Sequence, residues 1–164
     1  MYVIDNTVLA NFASINKIEL LENILNKNTV IPFHVYEEFH NSQRFHGMIL
    51  NHSFVQIEDN DLLLFSKVVK HFGFIGLGKG ELACILTIQN LNKGEILLTD
   101  DKLARNYCKK FEIEVHGSIY ILALGVKNNI FSLKEAENLL DEMKTKGFWI
   151  KEKFNVKKAL KQSF

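Results

Sequence analysis

The sequence predicts an α/β protein in which helices flank a central, mainly parallel sheet. Two observations lead to this prediction. Short runs typical of β-strands alternate along the chain with longer stretches whose apolar side chains recur at helical spacing. Hydrophobic residues make up 47% of the chain and charged residues 24%, which is ordinary for a globular protein with a sizeable core. Strand and helix in alternation favour parallel strands joined by helical crossovers.

The first part of the chain is predicted to contain three strands and four helices. In order they are a strand at 2–4, helices at 7–15 and 18–25, a strand at 29–31, a helix at 32–40, a strand at 54–57 and a helix at 61–71. Pro32 suits a first helical turn, because the N–H that proline lacks would be unpaired there. Residues 41–60 are otherwise polar and irregular, so we expect a surface connection between the second and third strands.

The second part begins with a glycine-rich stretch, "GFIGLGKG" at residues 73–80, which predicts a loop. The elements expected after it are a helix at 81–91, a strand at 96–99, a helix ending at 111, a strand at 113–115, and helices at 118–127 and 132–146. The glycines resemble a phosphate-binding loop, but no Ser or Thr follows Lys79. We therefore interpret them as giving the backbone freedom before Glu81.

The C-terminal residues form a basic extension at about 144–164. This stretch holds seven lysines and one glutamate, a net charge of +6, whereas the whole chain of 164 residues carries +1. One interpretation is a solvated amphipathic helix, since Val156, Ala159 and Leu160 have i, i+3, i+4 spacing. The other is a surface that attracts phosphates. Residues 1–164 are predicted to form a single domain that includes the extension.

The cysteines and the N-terminus predict a cytoplasmic protein without a membrane partner. Cys84 and Cys108 both lie in predicted helices, and neither belongs to a CxxC pair or a secreted-type framework. The N-terminus has no basic segment before its apolar residues, and Asp5 interrupts them. No apolar run approaches the roughly 18 residues that a membrane span requires.

Acidic residues follow the predicted strands in a way that suggests a cation site. Asp5 follows the first strand, Glu38 lies on the helix after the second, Glu81 opens the helix after the glycine loop, and Asp100 with Asp101 ends the strand at 96–99. Ligands of open parallel sheets bind at the carboxyl ends of the strands, where these acids would meet. Hard oxygen ligands without Cys or His partners suit Mg²⁺ or Mn²⁺.

Each acid also has an ordinary structural role open to it. Asp5 can cap the helix that follows, Glu81 can interact with a helix dipole, and Glu38 can belong to a solvated helix face. Arg105 lies four residues after Asp101, which is the spacing of an ion pair on a helix, while its alternative role is to clamp a phosphate. From the residues alone, these roles and the cation site both stay open.

Several blocks of sequence together resemble the PIN domain, a metal-dependent nuclease fold. These blocks are "VIDNTVL", "IPFHVYEEF", "GKGELACILT" and "LLTDDKLAR", followed by "VHGSIYILALGVKNNI" and "KGFWIKEKFNVKKAL". The last two extend the resemblance to a subgroup similar to the VapC toxins, so it covers nearly the whole chain. The resemblance implies a three-layer α/β fold.

The resemblance implies a role for each acid. Asp5 becomes the central metal ligand, supported by Thr7 and by Asn6, which stands where the wider family more often has Thr or Ser. Glu38 is preferred to Glu37 as the second acid because it directly precedes an apolar residue. In the order of the family, Glu81 is the third acid. The catalytic set is therefore Asp5, Glu38, Glu81 and Asp100, and the metal set is Asp5, Glu81, Asp100 and Asp101.

The two adjacent aspartates are expected to do different work. Asp100 and Asp101 point to opposite sides of an alternating strand. Asp101 can begin the next helix, with Arg105 one turn on to neutralise it. Asp100 has no such local partner in the sequence. We therefore expect Asp100 to be the metal ligand and Asp101 to support the helix start.

The function that the resemblance implies is metal-dependent hydrolysis of RNA with Mg²⁺ or Mn²⁺, as the toxin of a type II toxin–antitoxin pair. A nuclease of RNA processing without a toxin role, and an inactive PIN-fold binding module, are the alternatives. The expected partners are RNA, an antitoxin protein and a second copy of the chain. The lysines expected to bind nucleic acid are Lys151, Lys153, Lys157, Lys158 and Lys161.

Overall fold

Five parallel strands form the central sheet of the computed structural model, which describes residues 1–26, 28–91, 94–150 and 154–163. The strands are β1 (Tyr2–Ile4), β2 (Thr29–Pro32), β3 (Ser53–Val55), β4 (Ile96–Leu98) and β5 (Val115–His116). They lie in the order β3-β2-β1-β4-β5, and each pair of neighbours is parallel. The prediction of a mainly parallel sheet is confirmed.

Nine helices in the described residues connect and cover these strands. They are α1 (Asn6–Ser14), α2 (Ile18–Leu25), α3 (Phe33–Asn41), α4 (Asp59–His71), α5 (Lys79–Asn90), α6 (Lys102–Lys110), α7 (Ser118–Lys127), α8 (Leu133–Thr145) and α9 (Val156–Ser163). Helix α5 packs against β1, β2 and β4 and lies beside α3, α4 and α6, whereas α7 packs with α1, α2, α8 and α9.

The burial of the central strands shows that helices cover both faces of the sheet. Val3 and Ile4 on β1 are fully buried, and so are Leu97 and Leu98 on β4. Successive side chains of a strand point to opposite faces, so a strand that is buried at two consecutive positions has protein on both sides. The architecture is therefore a three-layer α/β fold, as the sequence predicted.

The element boundaries differ from the predicted ones at two informative places. Strand β5 begins at Val115 rather than at 113, because the Ile113 N–H donates to the Cys108 carbonyl at 2.9 Å and Glu112 has a positive φ of 56°. Ile113 thus takes part in the turn that follows the last residue of α6. Helix α5 begins at Lys79 and includes Gly80, which had been expected to belong to the loop.

Helix α9 has the amphipathic character that one interpretation of the basic extension predicts. Val156 is fully buried, and Ala159 and Leu160 pack against the core from half-buried positions. Lys157, Lys158 and Lys161 are exposed on the other side of the helix. Binding of nucleic acid by these lysines stays a prediction, and Lys151 and Lys153 lie outside the described residues. In the described ranges, no helix combines the length and the apolar character that crossing a bilayer requires.

A buried histidine just before β3 contacts side chains of β2 and α2. His52 Nδ1 lies 2.5 Å from Thr29 Oγ1 on β2, and its Nε2 lies 3.6 Å from the Glu22 carboxylate on α2. The side chain is 1% exposed. Burial lowers the pKa of His52 from 6.5, and the Glu22 carboxylate opposes that shift.

Because burial lowers the pKa of His52, we expect the protein to lose stability in mild acid. Because the folded pKa of His52 is depressed, its contribution is fully present above pH 6.5 and is lost as the pH falls from 6.5 to the folded pKa. We expect the free energy of unfolding to fall over that window in the wild type. In His52→Asn, whose amide can still accept from Thr29, the fall should be reduced. Urea melts at closely spaced pH values measure this, and identical pH profiles for the two proteins would contradict it.

Candidate active site

The carboxyl ends of β1 and β4 meet at the place where the strand order reverses. From β1 the chain crosses to β2 and β3 on one side, and it returns to β4 and β5 on the other. In open α/β sheets this switch point opens the crevice in which ligands bind. Asp5 follows β1 there, and Asp100 and Asp101 come just after β4. The pairing continues past the strands, because the Asp5 N–H donates to the Leu98 carbonyl at 3.0 Å.

Asp5 is a buried carboxylate whose orientation is fixed by two threonines. Its exposed fraction is 1%, and its Oδ2 accepts hydrogen bonds of 2.7 Å from the hydroxyls of Thr7 and Thr99. Burial raises the pKa of Asp5, while these hydroxyls and the backbone N–H groups of Asn6 and Thr7 lower it in part. Asp5 does not cap α1 with its side chain, so the capping role considered for it is not found.

Glu81 lies in the first turn of α5 and faces the other acids. Burial raises the pKa of Glu81, the negative charge of Asp5 raises it further, and Asp101 makes a smaller contribution in the same direction. The thiol of Cys84, three residues along α5, is fully buried and is influenced by the same negative charges. Burial first, and then the carboxylates of Asp5, Glu81 and Glu38, raise the pKa of this thiol. The three acids therefore converge on one region.

Glu38 is held at the edge of this region by Asn6. The amide Nδ2 of Asn6 donates to Glu38 Oε1 at 2.7 Å. The other oxygen of Glu38 lies over α5, where a Cβ built on Gly80 would come within 2.8 Å of it. These two contacts place Glu38 between α1 and α5, and its role as the second acid stays a prediction.

Gly78 and Gly80 leave space for neighbouring carboxylates because they have no side chain. The role expected for these glycines was backbone freedom. A Cβ on Gly78 would lie 2.6 Å from Glu81 Oε2, and the φ of Gly78 is an ordinary −75°. Gly80 lies in the first turn of a helix. The absence of a Cβ at these two positions therefore leaves room for the carboxylates of Glu81 and Glu38. Backbone freedom is needed further back, at Gly76, whose φ is 101°.

Asp101 begins α6, as predicted. Its Oδ1 accepts from the Ala104 N–H at 2.7 Å, which is an N-cap hydrogen bond. Its charge also acts on Glu81, so Asp101 lies on the side of the other acids. Asp101 therefore caps α6 and also acts electrostatically on Glu81.

Asp100 is bonded to two helices through residues that are distant from it in the sequence. Its carboxylate accepts from the Ser118 N–H at 3.1 Å, from the Ser118 hydroxyl at 2.5 Å and from Asn11 Nδ2 at 2.9 Å. These bonds join the end of β4 to α1 and to the start of α7. Burial raises the pKa of Asp100, and the Ser118 bonds and the charge of Arg105 lower it.

Arg105 does not form the expected ion pair with Asp101. Instead, its Nη1 donates to the Thr99 carbonyl at 2.9 Å, and its charge acts on Asp100. One hydrogen bond occupies only part of the five-donor guanidinium. Arg105 also lines a groove beside Asp100.

A family model described as a PIN domain matches residues 1–163. The chain belongs to the PIN-domain family. This fold is a nuclease-type fold, and PIN domains are generally nucleases that act on nucleic acids and typically use divalent metals. A search of curated proteins gives no match.

The PIN domain described here does not contain a closed metal cage. Across residues 1–26, 28–91, 94–150 and 154–163, no three or more His, Cys, Asp or Glu side chains are arranged to hold a metal ion. The acids converge, but part of their bonding capacity is used by neighbours. Thr7 and Thr99 bond to Asp5, Asn6 bonds to Glu38, and Ala104 bonds to Asp101.

Three polar residues of this PIN domain site were missed in the sequence. Thr99 bonds to Asp5, and Asn11 and Ser118 bond to Asp100. Asn11 is one turn after Thr7 on α1, and Ser118 opens the helix after β5. Helical spacing from Thr7 would have identified Asn11. Ser118 and Thr99 carry no comparable signal, since small polar residues are common at the ends of strands and helices.

Proposed function

We propose that this PIN domain is a metal-dependent endoribonuclease that hydrolyses phosphodiester bonds in RNA. The observation that supports this most is the buried carboxylate of Asp5, held by two threonine hydroxyls at the switch point of a parallel sheet and facing Glu81. A protein rarely maintains buried like charges close together without a function or a counter-charge. A scaffold without catalysis would not require them.

The residues present fit Mg²⁺ or Mn²⁺. The donor set contains carboxylate and amide oxygens. Burial and then the negative charge of Asp5 raise the pKa of Glu81, and a bound cation would offset both. Mg²⁺ commonly binds to one or two carboxylates and completes its coordination with waters and substrate phosphates, so a full protein cage is not required. Asp5 and Glu81 would hold the ion, with Asp101 and Glu38 beside them. Asp100, whose carboxylate is engaged by Ser118 and Asn11, would support the edge of the site from outside this set. When bound, the ion would supply positive charge and a more acidic water.

The side chains of the chain would orient the substrate around these acids. In hydrolysis, a water oxygen bonds to phosphorus in line with the ester oxygen that leaves, and the leaving oxygen gains a proton. Thr7 and Thr99 fix the Asp5 carboxylate, so it need not reorganise during the reaction. Asn6 does the same for Glu38. Arg105 has donors left to bind a phosphate beside Asp100.

A toxin role, with an antitoxin protein as partner, is the finer part of the proposal. It derives from the resemblance to VapC toxins, and an exposed apolar surface supports the need for a partner. On α4 and just after it, Leu63, Leu64 and Ile75 are between 57% and 75% exposed. Such patches mark interfaces more often than they remain bare, and a second copy of the chain is the other occupant considered.

The toxin role is tested by induced expression in a bacterial host. Growth should stop with the wild type and continue with an Asp5→Asn, Glu81→Gln double variant produced at the same level. A processing nuclease would cleave RNA in vitro without stopping growth. Arrest by the double variant would show that growth stops for a reason unrelated to these acids.

The lysines of α9 are proposed to bind the RNA backbone. Removing the whole helix would delete the buried Val156 and expose the α7 surface that α9 covers, so charge variants are the cleaner test. Changing Lys157, Lys158 and Lys161 together to Ala should weaken RNA binding. It should also reduce the slope of log affinity against log salt by roughly 2, at about 0.7 for each phosphate contact on a single strand.

A matched triple variant controls for net charge. Lys17 lies just before α2, and Lys67 and Lys70 lie on α4. All three are exposed and lie outside α7 and α8, the helices that pack against α9, and their replacement by Ala removes the same charge. Its salt slope should equal that of the wild type. Equal slopes for both triple variants, measured by fluorescence anisotropy with labelled RNA, would show that α9 does not contact the phosphates.

A further inference from the structure

A groove of about 450 Å³ opens beside Asp100, on the β5 side of the sheet. Helices α6, α7 and α9 and residues 148–150 and 154–155 line it. Its lining includes Lys102, Arg105, His116, Tyr120, Trp149 and Lys158. The groove therefore begins at the proposed catalytic edge and continues away from it along the basic helix.

The polar side chains of the groove favour an anionic ligand. Lys102, Arg105 and Lys158 bring three positive charges to its wall. The one acid among its described lining residues is Asp100, whose carboxylate is already engaged by Ser118 and Asn11. The surrounding potential is thus positive, which is complementary to a chain of phosphates.

The aromatic side chains of the groove favour a ligand that also has flat rings. Trp149 is 78% exposed, although its indole is among the largest apolar side chains. Phe154 is 48% exposed. Deeper in the groove, His116 stacks on Tyr120 with ring centroids 3.9 Å apart and an interplanar angle of 13°. Aromatic faces beside cations are the two elements that single-strand binding surfaces combine.

We propose that this groove binds the unpaired bases of a single-stranded nucleic acid and that Trp149 is the side chain on which a base stacks. The inference deepens the proposed nuclease function and rests on it for the identity of the ligand. Paired bases already stack on each other inside a duplex, so their faces do not reach a tryptophan. The groove would therefore select single-stranded segments and lead them from Trp149 to the acids.

Binding can be measured without cleavage, which separates this inference from the nuclease activity. The protein used is full-length Asp5→Asn in the presence of EDTA. Trp149 is the only tryptophan of the chain, so its fluorescence reports on the groove alone. Titration with single-stranded oligonucleotides should quench it, whereas a duplex of the same sequence should bind more weakly and quench little. Parallel titrations with RNA and DNA strands show whether the sugar is also recognised.

Variants of Trp149 test the stacking directly, with anisotropy of a labelled single strand as the readout. Trp149→Ala should weaken binding by between about 5-fold and 150-fold, the range found for loss of one stacked base. Trp149→Phe should recover part of that loss, because it restores an aromatic face. Phe54→Ala is the matched control, since Phe54 is a 44% exposed aromatic residue on β3, at the opposite edge of the sheet.

Two results would overturn the inference. One is an affinity for single strands that Trp149→Ala leaves unchanged while the variant melts at the wild-type temperature. The other is equal affinity for duplex and single strand. If binding behaves as expected but wild-type protein cleaves no RNA with any divalent metal, the groove assignment stands and the nuclease proposal fails.

Discussion

Replacing Asp5 with Asn is expected to abolish RNA cleavage while leaving the protein folded. Asn retains an oxygen that can accept from Thr7 and Thr99, so the hydrogen bonds that fix the side chain are largely kept. The negative charge that would hold a cation is lost. A bound metal ion is worth several kcal/mol in the transition state, so the rate should fall at least about a hundredfold.

Stability is expected to move in the opposite direction in this variant. Burial raises the folded pKa of Asp5, so its protonated form stabilises the fold at low pH, and that contribution is lost as the pH rises above 3.8. At neutral pH the ionised group therefore opposes folding, and Asn removes that opposition. In EDTA the melting temperature of Asp5→Asn should equal or exceed that of the wild type.

The comparison needs a control that makes the same chemical change elsewhere. Asp141→Asn on α8 serves this purpose, because its side chain is 70% exposed and lies on a different surface. Its cleavage rate should match that of the wild type. A folded Asp5→Asn protein that cleaves RNA at the wild-type rate would remove Asp5 from the proposed site.

Substitutions of Asp100 and Asp101 are expected to have different effects. The Asp100 variant should lose stability, and the Asp101 variant should lose metal affinity and activity. Asp100→Asn exchanges one acceptor oxygen for an NH₂ group where Ser118 and Asn11 both donate. Donors would then face each other, and the unfolding free energy should fall by about 1–3 kcal/mol. Asn is as good an N-cap as Asp, so Asp101→Asn should stay stable. It should, however, lose the charge that acts on Glu81, and with it Mn²⁺ affinity and activity.

This expectation is the reverse of the division that the sequence suggested for the two aspartates. Asp100 has no partner close to it in the sequence, whereas in the structure Ser118 and Asn11 bond to its carboxylate. Thermal melts and Mn²⁺ calorimetry on both variants decide between the two assignments. A stable Asp100→Asn that binds no Mn²⁺, beside an unstable Asp101→Asn, would support the sequence-based assignment.

The sequence indicated that the acids follow the strands, and the resemblance implied the support of Thr7 and Asn6, but neither predicted Thr99, Asn11 and Ser118. Acids after successive strands must meet at one edge of a parallel sheet, so their order along the chain carries the information. The partners of Asp100 and Asp5 are a different case. Asn11 is 89 residues from Asp100, and Thr99 is 94 residues from Asp5. Periodicity is a local signal and does not report contacts at such separations.

Features of the fold that depend on nearby residues were predicted, and features that depend on residues distant in the sequence were not. Helix α7 was predicted at its observed bounds, Ser118–Lys127, because its apolar pattern is local. The role of Gly80 was not predicted, because it depends on the carboxylate of Glu38, which arrives from α3. The start of β5 depends on a backbone hydrogen bond that ends α6. Details set by packing between elements therefore required the structure.

The proposed nuclease activity is best measured as cleavage of an end-labelled single-stranded RNA, with identification of the new ends. We expect cleavage only with Mg²⁺ or Mn²⁺, its loss in chelator, and its return when the metal is restored. Because water is the proposed nucleophile, the 2′-hydroxyl takes no part, and the products should carry no 2′,3′-cyclic phosphate. Cleavage that continues in chelator, or products ending in a cyclic phosphate, would contradict the account.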